Sequence, residues 1–178
     1  MILNQEDSLV LIIDVQEKLL NAVFNKDLVE KKSKIIAKST QILDLPLFIT
    51  EQYPQGLGET VEGLKENTDN VFIKTDFNAL TDDILLQSLK STGRKQIIIF
   101  GIETHICVHQ TVSALLGLGF SVTVVSDACG SRSESEYLRA LEVMQKNGAN
   151  IKTTEMVLFE LVKSAKHPNF KEIQALIK

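Results

Sequence analysis

Six short apolar runs recur along the chain, with amphipathic stretches between them. "SLVLIID" (Ser8 to Asp14) is almost wholly apolar until it ends in a carboxylate. A run of that length and β-branched content reads as a strand buried on both faces. "LPLFIT" (Leu45 to Thr50), "VFIK" (Val71 to Lys74), "KQIIIFG" (Lys95 to Gly101), "FSVTVVSD" (Phe120 to Asp127) and "ANIKT" (Ala149 to Thr153) supply five more. The intervening segments have helical spacing. Asp27 and Glu30 form a capping-box pattern, and Leu28, Ile35, Ile36, Ile42 and Leu43 share a face. Thr81 is expected to cap a helix carrying Ile84, Leu85 and Leu89. Beyond Gly101, the positions Val108, Thr111, Val112, Leu115 and Leu116 mark another helix, with Thr104 as its natural N-cap. Ser133 and Glu136 repeat the capping box ahead of Tyr137, Leu141 and Met144, and Asn147-Gly148 supplies the stop. A helix near Met156 to Lys163 and one starting at Pro168 finish the chain.

Strands that alternate with helices imply βαβ units. The expected class is α/β: a three-layer αβα, Rossmann-like arrangement with a six-stranded, mostly parallel sheet and helices on both faces. A length of 178 residues suits one domain, 1–178. Composition narrows the partners. Net charge is −4 and the Lys and Arg residues are dispersed, so no nucleic acid is expected. No apolar run approaches the roughly 20 residues that cross a bilayer, so no membrane is expected either. The opening "MILNQEDSLV" lacks a basic region followed by a clean apolar one. A cytoplasmic location follows as the expectation, with Cys107 and Cys129 both reduced. The turn after the first strand, "DVQEKL", has no Gly-x-Gly-x-x-Gly to approach a pyrophosphate, and no cofactor is expected.

In parallel sheets ligands bind beyond the carboxyl ends of the strands. Three reactive side chains fall there: Asp14, Lys74 and Cys107. With Thr104 as N-cap, Cys107 lies in a first helical turn, where free amides and the helix dipole stabilise a thiolate. Its pKa should therefore fall, and Lys74 would lower it further. Asp14 opposes the thiolate but can serve as the base that takes its proton. Strand, tight turn, nucleophile and helix then follow in the order of a nucleophile elbow. Each residue also has a plain structural reading: a buried inert thiol, a turn carboxylate, a solvated surface amine. Cys129 lies outside a helical first turn and reads as structural or pocket-lining. His105 and His109 stand four apart but lack a third ligand, which favours surface or subunit-contact roles.

The motifs "LIIDVQEKL", "TEQYPQGLG", "IKTDFNAL", "FGIETHICVHQT" and "SDACGSR" occur in an order that resembles the isochorismatase-like cysteine hydrolases, relatives of the nicotinamidases. The resemblance spans nearly the whole chain. It implies a triad of Asp14, Lys74 and Cys107. It also implies a cis peptide at Ile102–Glu103, which would turn the Glu103 amide toward that of Cys107 so that both hold one oxyanion. The loop "EQYPQGLGETVEG" lacks the histidines of the nicotinamidase metal site, so no metal is expected. Isochorismatases proper generally lack the cysteine, so Cys107 argues against that activity. The expected function is hydrolysis of a small amide, imide or related C–N compound through a thioester, in a homo-oligomer acting on a small-molecule substrate. Gln16, Gln52, Tyr53 and Phe77 are candidate pocket residues. The alternative is a catalytically idle oligomeric redox or interaction protein with a reactive thiol.

Overall fold

A computed structural model describes residues 2–66 and 68–178. Six strands run in the order β3-β2-β1-β4-β5-β6: β1 (Ser8–Ile13), β2 (Leu47–Gln52), β3 (Val71–Lys74), β4 (Gln96–Gly101), β5 (Ser121–Val125) and β6 (Asn150–Lys152). Every neighbouring pair is parallel. All six residues of β1 are buried, as are all six of β4, because both lie mid-sheet and are covered on both faces. The helices are α1 (Glu17–Leu20), α2 (Lys26–Ile42), α3 (Pro54–Leu57), α4 (Asp83–Ser91), α5 (His109–Gly117), α6 (Glu134–Lys146), α7 (Thr154–Val162) and α8 (Phe170–Leu176). α2 packs against α7 and α8 in one helical layer, and α5 packs against α6 in the other. The three-layer α/β architecture read from the sequence is the one present.

Several local expectations need correction. Asp27 is not an N-cap: α2 begins one residue earlier and Asn25 stands at its cap, so Asp27 lies inside the first turn. Leu28 faces solvent at 44% exposure, and Val29 takes the buried position instead. The cap of α4 is Asp82 rather than Thr81; its carboxylate accepts the Ile84 amide at 3.0 Å, while Ile84 itself is exposed. Pro168 precedes α8, whose cap is Asn169. The second capping box holds, with Ser133 Oγ accepting the Glu136 amide at 3.4 Å. So does the stop after α6, where Gly148 has φ 105°.

The chain leaves β1 toward β2 and β3, then returns to place β4 on the other side of β1. The crevice between β1 and β4 is therefore the switch point of the winding, where open α/β sheets bind ligands. Asp14 ends one of these strands and Cys107 lies just beyond the other.

Candidate active site

β1 delivers Asp14 into the interior with no exposed surface, at φ 50°. Its main chain is fixed by its amide, which donates to the Thr50 carbonyl at 3.1 Å. Its carboxylate is satisfied on both oxygens. Thr50 Oγ1 donates to Oδ1 at 2.7 Å, and Lys74 Nζ lies 2.6 Å from Oδ2. The ammonium also donates to Gln52 Oε1 at 2.5 Å and to the Asp76 carbonyl at 3.2 Å. Register explains this convergence. Thr50 pairs with Phe72 and Gln52 with Lys74, so alternate residues of β2 and β3 project from the same face. A buried ion pair is tolerated when its remaining hydrogen-bonding capacity is filled, as it is here.

β4 ends at Gly101, with φ 138°; a β-carbon there would sit 1.9 Å from the Ile13 carbonyl oxygen. Only glycine allows the two central strands to approach so closely. The following Ile102–Glu103 peptide is cis. The chain then enters a π-helical turn, Thr104–Val108, that runs directly into α5. The Glu103 carbonyl accepts the amides of Ile106 and Val108 at 3.1 and 3.2 Å, bypassing that of Cys107 between them. Glu103, not Thr104, occupies the N-cap position. The Thr104 hydroxyl instead donates to the Gly130 carbonyl at 2.9 Å.

Cys107 is buried, with 5% exposure. It lies close enough to Asp14 and Lys74 for both charges to act on its thiol. Its pKa does not fall as the helix-dipole argument predicts. Burial, reinforced by the Asp14 carboxylate, pushes the thiol up to about 12, and Lys74 only partly offsets this. The group rests as a thiol beside a carboxylate, and an attacking thiolate needs its proton removed. Cys129 has no exposed surface; burial pushes it too up to about 12, against a hydrogen bond from the Gly101 backbone. It packs behind the β4 turn as a structural thiol.

The candidate pocket residues separate. Gln16 is fully buried and its amide is spent on the main chain, donating to the Gln52 and Gly58 carbonyls and accepting the Gln52 amide. Gln52 positions Lys74 and donates to the Thr75 carbonyl at 2.6 Å. Tyr53 and Phe77 are more than half exposed. A cavity of about 520 Å³ opens beside the ion pair, lined by Thr50, Phe72, Lys74, Asp76 and Leu85 among others, but not by Cys107. His105 turns its Nδ1 to Ser131 Oγ, 3.0 Å away. Among the described residues no cluster of three or more His, Cys, Asp or Glu residues could hold a metal ion. Sequence reading missed two contributors. Thr50 was legible as one of the alternate residues of β2 that share a face with Gln52. The Glu103–Arg132 ion pair, with Nη2 2.7 Å from Oε2, had no sequence signal because its partners meet only in the fold.

The isochorismatase domain model matches residues 8–156. The chain belongs to the isochorismatase family. It is 41% identical to the zebrafish (Danio rerio) isochorismatase domain-containing protein 2 over 181 aligned positions, covering 98% of this chain and 89% of that one. Among solved structures it is similar to the MAR1 ribonuclease of Caenorhabditis elegans, at TM-score 0.93 and 37% identity, with 99% and 92% of the two chains covered. It is also similar to the Escherichia coli YcaC gene product, described as an octameric hydrolase of unknown specificity, at TM-score 0.90 and 27% identity over 98% and 95% of the chains. The isochorismatase-family hydrolase fold thus extends over nearly the whole chain. Among the described residues no helix is long and apolar enough to cross a membrane.

Proposed function

We propose that this isochorismatase-family chain is a cysteine-dependent hydrolase of a small amide, imide or related C–N compound. The observation that carries the reading is the buried Asp14–Lys74 ion pair at the switch point of the sheet, beside the buried Cys107 thiol on which both charges act. Asp14 takes the thiol proton as sulfur attacks the carbonyl carbon; a C–S bond forms and the carbonyl electrons move to oxygen. The Glu103 and Cys107 amides hold that oxyanion. As the carbonyl re-forms, the C–N bond breaks and Asp14 protonates the departing nitrogen, leaving a thioester. Asp14 then takes a proton from water, which attacks the thioester, and the returning thiolate recovers its proton. Lys74 holds Asp14 in place and offsets negative charge at the sulfur.

The raised thiol pKa supports a general-base route over a pre-formed thiolate. The burial of Cys107, at 5% exposure, supports the small-molecule reading over a ribonuclease like the one named for the C. elegans chain, and so does a net charge of −4. A homo-oligomer belongs to the same proposal, supported by the octamer named for YcaC. The test is a panel of small amides, imides and ureas, followed by ammonia release, on the wild type and Cys107→Ala. Loss of about 10³-fold or more in the variant is expected for removal of a covalent nucleophile. Wild-type turnover by Cys107→Ala would overturn the mechanism and return the chain to the idle redox or interaction reading.

A further inference from the structure

Beyond β5 the segment Cys129 to Ser133 lies along the turn that carries Cys107. Gly130 donates its amide to the Gly101 carbonyl at 3.1 Å, and its own carbonyl accepts both the amide and the hydroxyl of Thr104, at 2.8 and 2.9 Å. Ser131 Oγ meets His105 Nδ1. Arg132 completes the lacing. Its Nε and Nη2 donate to the two carboxylate oxygens of Glu103, at 2.9 and 2.7 Å, and its amide lies 3.3 Å from Oε1. The fork is bidentate, so it fixes orientation as well as distance. Glu103 is 9% exposed, whereas the Arg132 side chain is largely in solvent. The Glu103 carboxylate makes no capping bond to the helix it precedes. Its satisfaction comes from Arg132.

We infer that Arg132 is a positioning residue for the oxyanion site, holding Glu103 so that its amide stays aimed at the carbonyl oxygen under attack by Cys107. This rests on the hydrolase reading. Bonds at Gly101, on one side of Glu103, and at Thr104, on the other, hold the main chain around it. The Arg132 fork removes the remaining freedom of residue 103 itself. A donor displaced by a fraction of an ångström loses much of its effect on a developing oxyanion.

Two probes separate this role from a general structural one. p-Nitrophenyl acetate acylates a thiol through a tetrahedral oxyanion, releasing p-nitrophenolate. Iodoacetamide alkylates the same sulfur by displacement at saturated carbon, with no oxyanion. In Arg132→Ala, acylation should fall about tenfold or more, while alkylation of Cys107 stays within about twofold of wild type because the thiol's own neighbours are intact. Arg132→Lys should recover only part of the loss, since an ammonium cannot form the fork. Millimolar guanidinium should restore acylation to the Ala variant. Unchanged acylation in Arg132→Ala, or an equal fall in both reactions, overturns the assignment. Failure of the hydrolase reading looks different: Cys107→Ala would release p-nitrophenolate at the wild-type rate, or the wild-type thiol would alkylate and never acylate.

Discussion

Lys74 Nζ sits 2.6 Å from Asp14 Oδ2, joining the end of the edge strand β3 to the end of the central strand β1 across 60 residues of sequence. Neither side chain is appreciably exposed, and Thr50 and Gln52 fill the remaining bonds from the strand between them. The pair is both part of the proposed site and part of the core, which makes its removal informative.

Lys74→Met should leave a buried carboxylate with only Thr50 as side-chain partner. Breaking a buried pair on one side costs about 3–5 kcal/mol. Chemical denaturation measures this, and the double variant Asp14→Asn with Lys74→Met should recover part of the loss, since no uncompensated charge remains. A double variant less stable than Lys74→Met alone would show that the pair's net attraction outweighs its desolvation.

Cys107 should titrate well above the usual thiol value of about 8.5. The rate of iodoacetamide modification at Cys107, followed by peptide mass spectrometry across pH, reads this directly. Asp14→Asn should move the midpoint down, because the charge that opposes the thiolate is gone. Lys74→Met should move it up. The opposite order in the two variants would contradict the electrostatics of the site.

Gly101→Ala should destabilise the fold by at least about 3 kcal/mol. The added carbon would fall on the Ile13 carbonyl, and φ 138° is unfavourable for any residue with a side chain. Thermal unfolding tests it. Gly93 also has positive φ but faces open space, so Gly93→Ala serves as a control that suffers the backbone penalty without the clash.

Stability should decline on the alkaline side. Burial pushes Cys107, Cys129 and Tyr137 each up to about 12. The unfolded chain loses these protons from about pH 8.5 for the thiols and about pH 10 for the phenol, while the native state keeps them. The stabilisation is complete below those values and is lost as pH rises toward 12. Urea denaturation in steps from pH 8 should show the slope, and Cys129→Ala should make it shallower. An unchanged slope in that variant would remove Cys129 from the account.

The alternation of apolar runs and amphipathic segments is a local property, and it was enough to place all six strands within about two residues. A fully buried strand and a two-faced helix have different periods, which is why the α/β class was legible. The order of motifs carried the family. The ends of elements were less legible, because Asp27, Thr81 and Thr104 are as chemically suited to capping as the residues that fill those positions. Tertiary bonds decide between neighbours. Thr104, for example, gives its hydroxyl to Gly130 rather than to a helix amide.

The charge state of Cys107 was beyond local reasoning altogether. Free amides at a helix start favour a thiolate, but that argument contains no term for how deeply the sulfur is covered. Desolvation and the Asp14 carboxylate raise the thiol, and Lys74 only partly offsets them. The same holds for the partners of the site. Residue types and strand ends announced Asp14, Lys74 and Cys107, since period and spacing are written along the chain. Only the parallel register of β1, β2 and β3, with β4 folded back beside β1, decided that Thr50 and Gln52 would satisfy the ion pair and that Arg132 would clasp Glu103. Hydrogen-bond partners depend on distances in space, which a one-dimensional pattern does not contain.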